Sequence, residues 1–314
     1  MKTNNETQDM IIIANEWLYS KQMSIKYSTY IKYKNLIETQ IHPFFQKHSI
    51  DAINETLIID YLNEKYKKNY SHSTTTSIRF LLKSILTYAE IKYQIKHIDF
   101  RFIKLSHEKI QSTTLSSYQI SCLDEYCFQH MNSISLSILL ALYGGLRIGE
   151  ICALQWKDID IEHGIISVSK TLQRLENKDQ STAKTSLMIL KPKTLSSQRQ
   201  VPVPQFIIEY FRQYYSIYFL HNDDYILSPI GKKIDPRTIQ YKFKKVCEHY
   251  HFSINFHALR HTYATHCVEI GIEIKSLSEI LGHSNISTTL NRYVHSSLSF
   301  KQNQINKIKK SYLS

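Results

Sequence analysis

The stretch ALYGGLRIGEICALQWKDID, residues 141–160, carries the most distinctive local pattern of this chain. The apolar run from Ile138 to Leu142 predicts a helix, and the glycine pair Gly144–Gly145 predicts its end. Arg147 follows at once, directly before a second predicted helix, and a helix N-terminus favours an anion. Glu150, three residues on, is placed to hold the guanidinium in an ion pair. The stretch therefore predicts an anion site at Arg147, although such a pair taken alone is more often a plain surface ion pair.

Glycine is scarce elsewhere, and the charge is strongly positive. The chain has 7 glycines in 314 residues, and none precedes Gly144. It has 39 Lys and Arg against 27 Asp and Glu, a formal net charge of +12. This charge favours a polyanionic partner, but alone it does not separate DNA from RNA or a membrane surface.

The composition excludes several classes of protein. A hydrophobic content of 42% with 12% aromatics is typical of globular domains and excludes long disorder and collagen-like repeats. No stretch approaches the 18 or so consecutive apolar residues of a membrane span, so we expect a soluble, intracellular protein. The five cysteines are odd in number and form no CxxC spacing, which favours buried thiols over disulfides or a zinc site.

The length favours two domains. Apolar residues recur at helical spacing in four segments of the first hundred residues, which predicts a four-helix N-terminal domain over 5–100, with Ser28 capping the second helix and Pro43 closing it. A polar stretch over 101–114 is the predicted linker, and 115–314 form the second domain.

The second domain is predicted to be helical with a small sheet. Alternating apolar residues predict three short strands, at Ile159–Thr171, Leu187–Leu190 and Gln200–Val203. Lys193 lies between the last two, at the tip of a predicted hairpin. After the Asp235–Pro236 helix start, the pattern is helical almost to the end. The fold class is therefore mainly α with a small β-sheet (α+β).

Two apparent motifs do not hold. GGLRIGE, residues 144–150, lacks the glycine spacing of a dinucleotide loop, and the chain has no GK[ST]. In HALRH, His257 and His261 have the spacing of a helical zinc pair, but position 258 is Ala where a metalloprotease needs its Glu base. The sequence therefore predicts no metal site.

Four further polar residues follow in the second domain. His257 and Arg260 are three residues apart on one predicted helix, so both can address one anion. A separate helix is predicted to end at Gly282, which places His283 in the turn. Tyr293 lies on a short predicted helix within ISTTLNRYVH. In isolation Tyr293 is one of 22 tyrosines, and a packing role is the simpler interpretation.

The order of these pieces resembles the tyrosine recombinase (phage integrase) family. ALYGGLRIGEICALQWKDID, PKT, HALRHTYATH and LGHSNISTTLNRY match the family's Arg, Lys, His-x-x-Arg, His and Tyr blocks in order, over about residues 114–300. The last block is most similar to integrases of phages and integrative elements and to the Xer group. The N-terminal helices resemble the SAM-like core-binding domain, and no separate arm-binding domain fits before Ile11.

The resemblance implies a mechanism. Arg147 and Arg260 would clamp the scissile phosphate while Tyr293 attacks it, forming a 3′-phosphotyrosyl link and releasing a 5′-hydroxyl. The remaining implied roles are protonation of the leaving oxygen by Lys193, acid/base assistance by His257, a bond from His283 to a non-bridging oxygen and support of the first arginine by Glu150. Because the covalent link conserves the bond energy, neither ATP nor a metal cofactor is expected.

The implied substrate is double-stranded DNA with inverted-repeat core sites. The resemblance therefore also implies a cytoplasmic, nucleoid-associated protein with no membrane partner. The expected reaction proceeds through a Holliday junction in a homotetramer joined by exchange of C-terminal tails, with an accessory directionality factor as a further candidate partner. Candidate DNA-contacting residues are Lys32, Lys34, Arg79, Lys83, Lys242, Lys244 and Lys245. Two alternatives remain: a type IB topoisomerase-like activity, and a catalytically silent DNA-binding accessory protein on the same scaffold.

Overall fold

A computed structural model describes residues 9–105, 114–177, 185–190, 197–218, 221–228, 230, 232–293, 302, 305 and 306. The chain divides into two compact units, Met1–Ile110 and Gln111–Ser314. The described part contains many helices and two small sheets, so the predicted mainly α class with a small β component is confirmed. None of the described helices is long and apolar enough to span a membrane.

The first unit is a helical bundle around a single apolar core. Its helices are α1 (Met10–Lys21), α2 (Tyr27–Leu36), α3 (His42–Phe45), α4 (Glu55–Lys67) and α5 (His72–Tyr93), with a π-helical turn at Ile37–Ile41 and a 3₁₀ turn at Ile50–Ala52. The inward faces of these helices supply the core, which includes Ile13, Trp17, Ile41, Phe45, Ile58, Tyr61, Ile78 and Leu82. The four predicted helices are therefore present, with α3 in addition.

Two predicted boundaries of the second helix were wrong. Ser28 lies inside α2, whose N-cap is Lys26 and has no side-chain capping bond. Pro43 does not close the helix, because the π-helical turn leads directly into α3 and Pro43 falls in the first turn of α3. The missing N–H of proline is tolerated at such a position.

The second unit is built around a helix that is buried on nearly every side. Its helices are α6 (Ser117–Gln129), α7 (Ser133–Gly144), α8 (Ile148–Ile151), α9 (Gln205–Tyr218), α10 (Pro236–His249), α11 (His257–Glu269), α12 (Ile274–Leu281) and α13 (Ile286–Tyr293). Every residue of α7 from Ile134 to Leu142 is buried. Since α6, α10 and α11 all contact α7, this apolar helix forms the centre of the core.

The strands form two separate sheets rather than one. In the first, β2 (Ile165–Val168) lies between β1 (Ile159–Asp160) and β5 (Arg199–Pro202), and both pairings are antiparallel. In the second, β3 (Thr171–Glu176) pairs with β4 (Thr185–Leu190), with Thr171 opposite Leu190.

This arrangement corrects the predicted strands. The run Ile159–Thr171 is broken by a turn at Gly164, which has φ +68°, and by the step to the second sheet. Because β4 pairs with β3 and β5 pairs with β2, the segment between β4 and β5 joins two sheets and is not the tip of a hairpin. Lys193 itself lies outside the described residues.

Candidate active site

Arg147 lies between the ends of two helices, as predicted. α7 ends at Gly144, and the left-handed φ of +64° at the C-cap Gly145 allows the Gly145 N–H to bond to the Leu140 carbonyl. Arg147 is the N-cap of α8, and its backbone N–H donates to Glu150 Oε2 at 2.9 Å. Its Nη1 donates to Glu150 Oε1 at 2.8 Å, so the predicted ion pair is present. The Arg147 side chain is 37% exposed and can still reach a ligand.

Glu150 is shared with a second arginine that the sequence reasoning missed. Arg199, at the start of β5, donates from Nη2 to Glu150 Oε2 at 3.0 Å and from Nη1 to Glu150 Oε1 at 3.1 Å. Its Nε donates to the carbonyl of Ile280 near the end of α12. Burial alone would raise the pKa of Glu150, but Arg199 and then Arg147 lower it to about 2. The carboxylate therefore stays charged and joins both guanidinium groups.

One pattern in the sequence could have identified Arg199. Arg199 directly precedes the predicted strand Gln200–Val203 and is two residues before Val201, so a strand that begins one residue earlier places both on the same face. Val201 is fully buried and the Arg199 side chain is only 5% exposed. A buried arginine requires a carboxylate or carbonyl partner, and Glu150 was the acidic residue already assigned to the site.

Arg260 is held in a different way. It is 1% exposed, and its Nη1 and Nη2 donate to the carbonyls of Gly145 and Leu281, each at 2.6 Å. Burial, followed by the positive charge of Arg147, lowers its pKa to about 9. Arg260 therefore remains protonated at neutral pH. The two carbonyl oxygens that accept these hydrogen bonds lie at the C-terminal ends of α7 and α12.

His283 lies beside Arg260. Gly282 ends α12 with a left-handed φ of +62°, as predicted, and turns His283 towards the site. His283 Nε2 is 3.2 Å from Arg260 Nη2, and Nδ1 is 2.8 Å from Thr289 Oγ1. Because a guanidinium only donates, Nε2 accepts this bond and the ring proton of the neutral histidine lies on Nδ1.

Tyr293 ends α13 and is buried at 5% exposure, packed against Ala264, Cys267, Leu277 and Leu281. Its ring is nearly parallel to that of His283, with 6.4 Å between centroids. Its hydroxyl lies 2.9 Å from Nδ1 of His261.

His257 is the exposed first residue of α11. Its ring meets that of His261 edge-to-face, with centroids 4.4 Å apart. The histidine in contact with the Tyr293 hydroxyl is thus His261, which the sequence reasoning considered only as half of a zinc pair. Among the described residues, no cluster of three or more His, Cys, Asp or Glu side chains could hold a metal ion.

A cavity of about 400 Å³ opens beside these groups. Its lining includes Arg147, Lys170, Gln173, His283, Ser284 and Thr288, together with the carboxylate of Glu150 that Arg147 and Arg199 hold. Lys170 is held by Gln155 Oε1 at 2.8 Å and Asp158 Oδ2 at 3.1 Å. Cationic and hydroxyl donors on several walls suit an oxyanion such as a phosphate.

The candidate DNA contacts of the first unit differ in their surroundings. Lys32 donates to Ser77 Oγ at 2.9 Å, Lys34 lies 4.0 Å from Glu38, and Lys83 is exposed. Arg79 donates instead to the carbonyls of Phe100 and Ile103. The contacts of Arg79 fasten α5 to the chain that follows it, so this residue has a structural role.

The candidates of the second unit lie on the outer face of α10. Lys242 is exposed, and Lys244 and Lys245 lie 3.7 and 2.9 Å from Glu248. Exposed pairs of this kind are weak because water and salt screen them, so they leave the lysines able to exchange Glu248 for another anion.

Comparison with known proteins identifies relatives over most of the chain. The Phage integrase family model matches residues 114–299, and the model of the N-terminal SAM-like domain of phage integrases matches residues 13–66. A tyrosine recombinase XerC-like protein of Caldanaerobacter subterraneus is 30% identical over 322 aligned positions, which cover 93% of this chain and 81% of the relative.

Solved structures show the same fold. The Tn1549 transposon integrase in complex with transposon right-end DNA has a TM-score of 0.78 at 20% identity, with 96% of this chain and 99% of that one covered. A lambda integrase tetramer bound to a Holliday junction has a TM-score of 0.68 at 16% identity, with 94% and 80% covered. With a family match over more than half of its length, the chain belongs to the phage integrase family, the tyrosine site-specific recombinases.

Proposed function

We propose that this recombinase cuts and rejoins double-stranded DNA at specific sites, with Tyr293 as the nucleophile. The phenol oxygen attacks the scissile phosphate, a 3′-phosphotyrosyl bond forms and the 5′-oxygen leaves. The 5′-hydroxyl of a partner strand then reverses the step, and two such exchanges pass through a Holliday junction. The two strand exchanges together would integrate, excise or invert a mobile DNA segment.

One observation carries the proposal: polar groups far apart in the sequence converge on one site. Arg147 Nη2 lies 3.5 Å from the carbonyl of Gly282, and Arg260 contacts His283, whose ring faces Tyr293. Two guanidinium groups and the imidazole of His283 therefore lie in one cluster, and the His283 ring lies next to that of Tyr293. The site borders a cavity with cationic walls.

The chemistry of phosphoryl transfer requires such a set. The transition state gains negative charge, which two guanidinium groups can neutralise through fixed, planar donors. Each preorganised donor of this kind contributes roughly 3–4 kcal/mol to transition-state stabilisation. Arg147 and Arg260 are proposed as this clamp, with Glu150 holding Arg147. His283 is proposed to bond a non-bridging oxygen, for which its Nε2 must carry a proton and exchange the bond that it accepts from Arg260 for one that it donates to the phosphate. His257 is proposed for acid/base assistance and Lys193 as the acid for the 5′-oxygen.

The proposed partner is duplex DNA carrying inverted repeats, bound by a tetramer. The net charge of +12 supports a polyanionic partner. The exposed lysines of α2, α5 and α10 are candidate phosphate contacts. The tail beyond Ser297, proposed to dock on a neighbouring protomer, lies almost entirely outside the described residues. Deleting this tail should reduce tetramer formation more than DNA binding, and an unchanged yield of tetramer would refute the tail exchange.

A nicked suicide substrate tests the chemistry. Cleavage next to the nick releases a short oligonucleotide, which prevents religation and traps the covalent protein–DNA adduct. The unsubstituted protein should form this adduct without Mg²⁺, and Tyr293→Phe should form none while still binding DNA. An adduct that persists in Tyr293→Phe refutes the assigned nucleophile. Relaxation of supercoiled DNA without a specific site would favour the topoisomerase-like alternative.

A further inference from the structure

The histidine in contact with the proposed nucleophile has no role in the mechanism described so far. His261 lies one turn after His257 on α11 and is 7% exposed. Its Nδ1 is 2.9 Å from the Tyr293 hydroxyl, within the 2.6–3.2 Å reach of a general base. His257, by contrast, is exposed at the start of the helix.

We propose that His261 is the general base that accepts the phenol proton of Tyr293. This inference rests on the proposed function, because it takes Tyr293 as the nucleophile. A free phenol has a pKa of about 10 and is almost entirely protonated at neutral pH, so the attack needs a proton acceptor. A neutral imidazole with its hydrogen on Nε2 offers the Nδ1 lone pair to the phenol.

The step balances without a further reactant. As the bond from the Tyr293 oxygen to phosphorus forms, the phenol proton passes to Nδ1 of His261 and gives an imidazolium. The bond from phosphorus to the 5′-oxygen breaks, and that oxygen takes a proton from the general acid. On rejoining, the 5′-hydroxyl attacks phosphorus, the tyrosine oxygen leaves and His261 returns its proton.

The position of His257 suits proton exchange with the solvent. Its ring is 4.4 Å from that of His261, and it is exposed whereas His261 is buried. A charge that forms on buried His261 is costly to maintain, so a second imidazole beside it eases the transfer. The two histidines of HALRH thereby share one function, with His261 touching the reacting oxygen.

His261→Asn separates the base from a structural hydrogen bond. The Asn amide oxygen can accept the tyrosine hydrogen bond near the position of Nδ1, but it cannot take the proton. We expect unchanged DNA affinity and a single-turnover rate of adduct formation reduced about 10²-fold or more. His266→Asn is the matched control, since His266 is on the same helix with a side chain 67% exposed, and it should cleave as the unsubstituted protein does. A wild-type rate for His261→Asn would overturn the proposal.

A second measurement changes the acidity of the tyrosine phenol, both with His261 present and in His261→Asn. Fluorotyrosine at position 293 has a more acidic phenol, which speeds cleavage only where no base removes the proton. In the protein with His261 present the fluorinated phenol should therefore not cleave faster, and in His261→Asn it should recover part of the lost rate. Faster cleavage with His261 present would overturn the proposal. Loss of the adduct in Tyr293→Phe together with full activity of His261→Asn would refute the base and leave the proposed function standing.

Discussion

The two arginines of the site are held by opposite means. Arg147 is 37% exposed and depends on another side chain, the carboxylate of Glu150, which is itself fixed by Arg199. Arg260 is 1% exposed and depends on backbone carbonyls at the ends of α7 and α12. The backbone fold alone fixes the positions of the two carbonyls. The position of the Glu150 carboxylate depends instead on its ion pairs with Arg147 and Arg199. Arg260 should therefore couple activity to stability, and Arg147 should affect activity alone.

Loss of Arg260 is expected to have the largest effect. Arg260→Ala removes a clamp donor and leaves the buried carbonyls of Gly145 and Leu281 without their donors. Adduct formation should fall by about 10³-fold. The free energy of unfolding should fall by about 1–3 kcal/mol, the penalty of buried unsatisfied groups. Suicide-substrate kinetics and thermal unfolding measure the two effects, and a variant of unchanged melting temperature would remove the proposed coupling.

Loss of Arg147 should be nearly as harmful to cleavage but not to stability. Arg147→Ala removes one clamp donor, which predicts a rate loss of about 10²-fold. Glu150 keeps its two bonds to Arg199, so no buried charge is left without a partner. The melting temperature should stay close to that of the unsubstituted protein. A large fall in melting temperature would mean that Arg147 is as structural as Arg260.

Arg199 should act on cleavage through Glu150. Arg199→Ala frees the carboxylate from its second holder, and Glu150→Gln removes the charge that both arginines use. We expect each single variant to slow adduct formation about tenfold. Because the two residues are in contact, we expect a coupling energy of roughly 1–2 kcal/mol between the two substitutions. The double variant should be no slower than the worse single one. Fully multiplicative losses in this double-mutant cycle would show that the two residues act independently.

The carboxylate of Glu150 should also make the stability of the protein depend on pH. The pKa of Glu150 is lowered to about 2 in the folded protein, from 4.5. A lowered carboxyl pKa contributes stability that is complete above pH 4.5 and is lost as the pH falls towards 2. The contribution is about 3 kcal/mol at neutral pH, and it should not change between pH 6 and pH 8. Urea unfolding of the protein and of Glu150→Gln should therefore converge between pH 4.5 and 2, whereas a constant difference would contradict the assignment.

The sequence predicted those features that depend on neighbouring residues. The ends of α7 and α12 were predicted because both fall at glycines that adopt a left-handed φ, at Gly145 and Gly282. The N-cap of α2 was not predicted correctly. Several hydroxyl side chains lie close together in this part of the sequence, and the actual N-cap, Lys26, makes no side-chain capping bond. The alternation of apolar residues located strands β4 and β5. The partner of a strand depends on residues far away in the sequence, however, and the predicted hairpin between β4 and β5 was wrong.

The same limit applies to the site. Each proposed residue except His261 and Arg199 was found through a block of local sequence. Arg199 reaches Glu150 across 49 positions, and His261 reaches Tyr293 across 32, so only the folded chain brings these pairs together. The sequence predicted both arginines of the clamp, Glu150 and Tyr293. It did not predict Arg199, which holds Glu150, or His261, which is proposed to accept the proton of Tyr293.

Gly145 has no side chain, yet its backbone is part of the candidate active site. A β-carbon there would lie 2.5 Å from the ring of Tyr263 and 3.2 Å from Leu281, and its φ of +64° is strained for other residues. Its carbonyl meanwhile receives Arg260. In a saturation library selected for recombination, position 145 should therefore tolerate as few substitutions as the positions of the charged residues, and it would be identified as catalytic by any screen that scores tolerance alone.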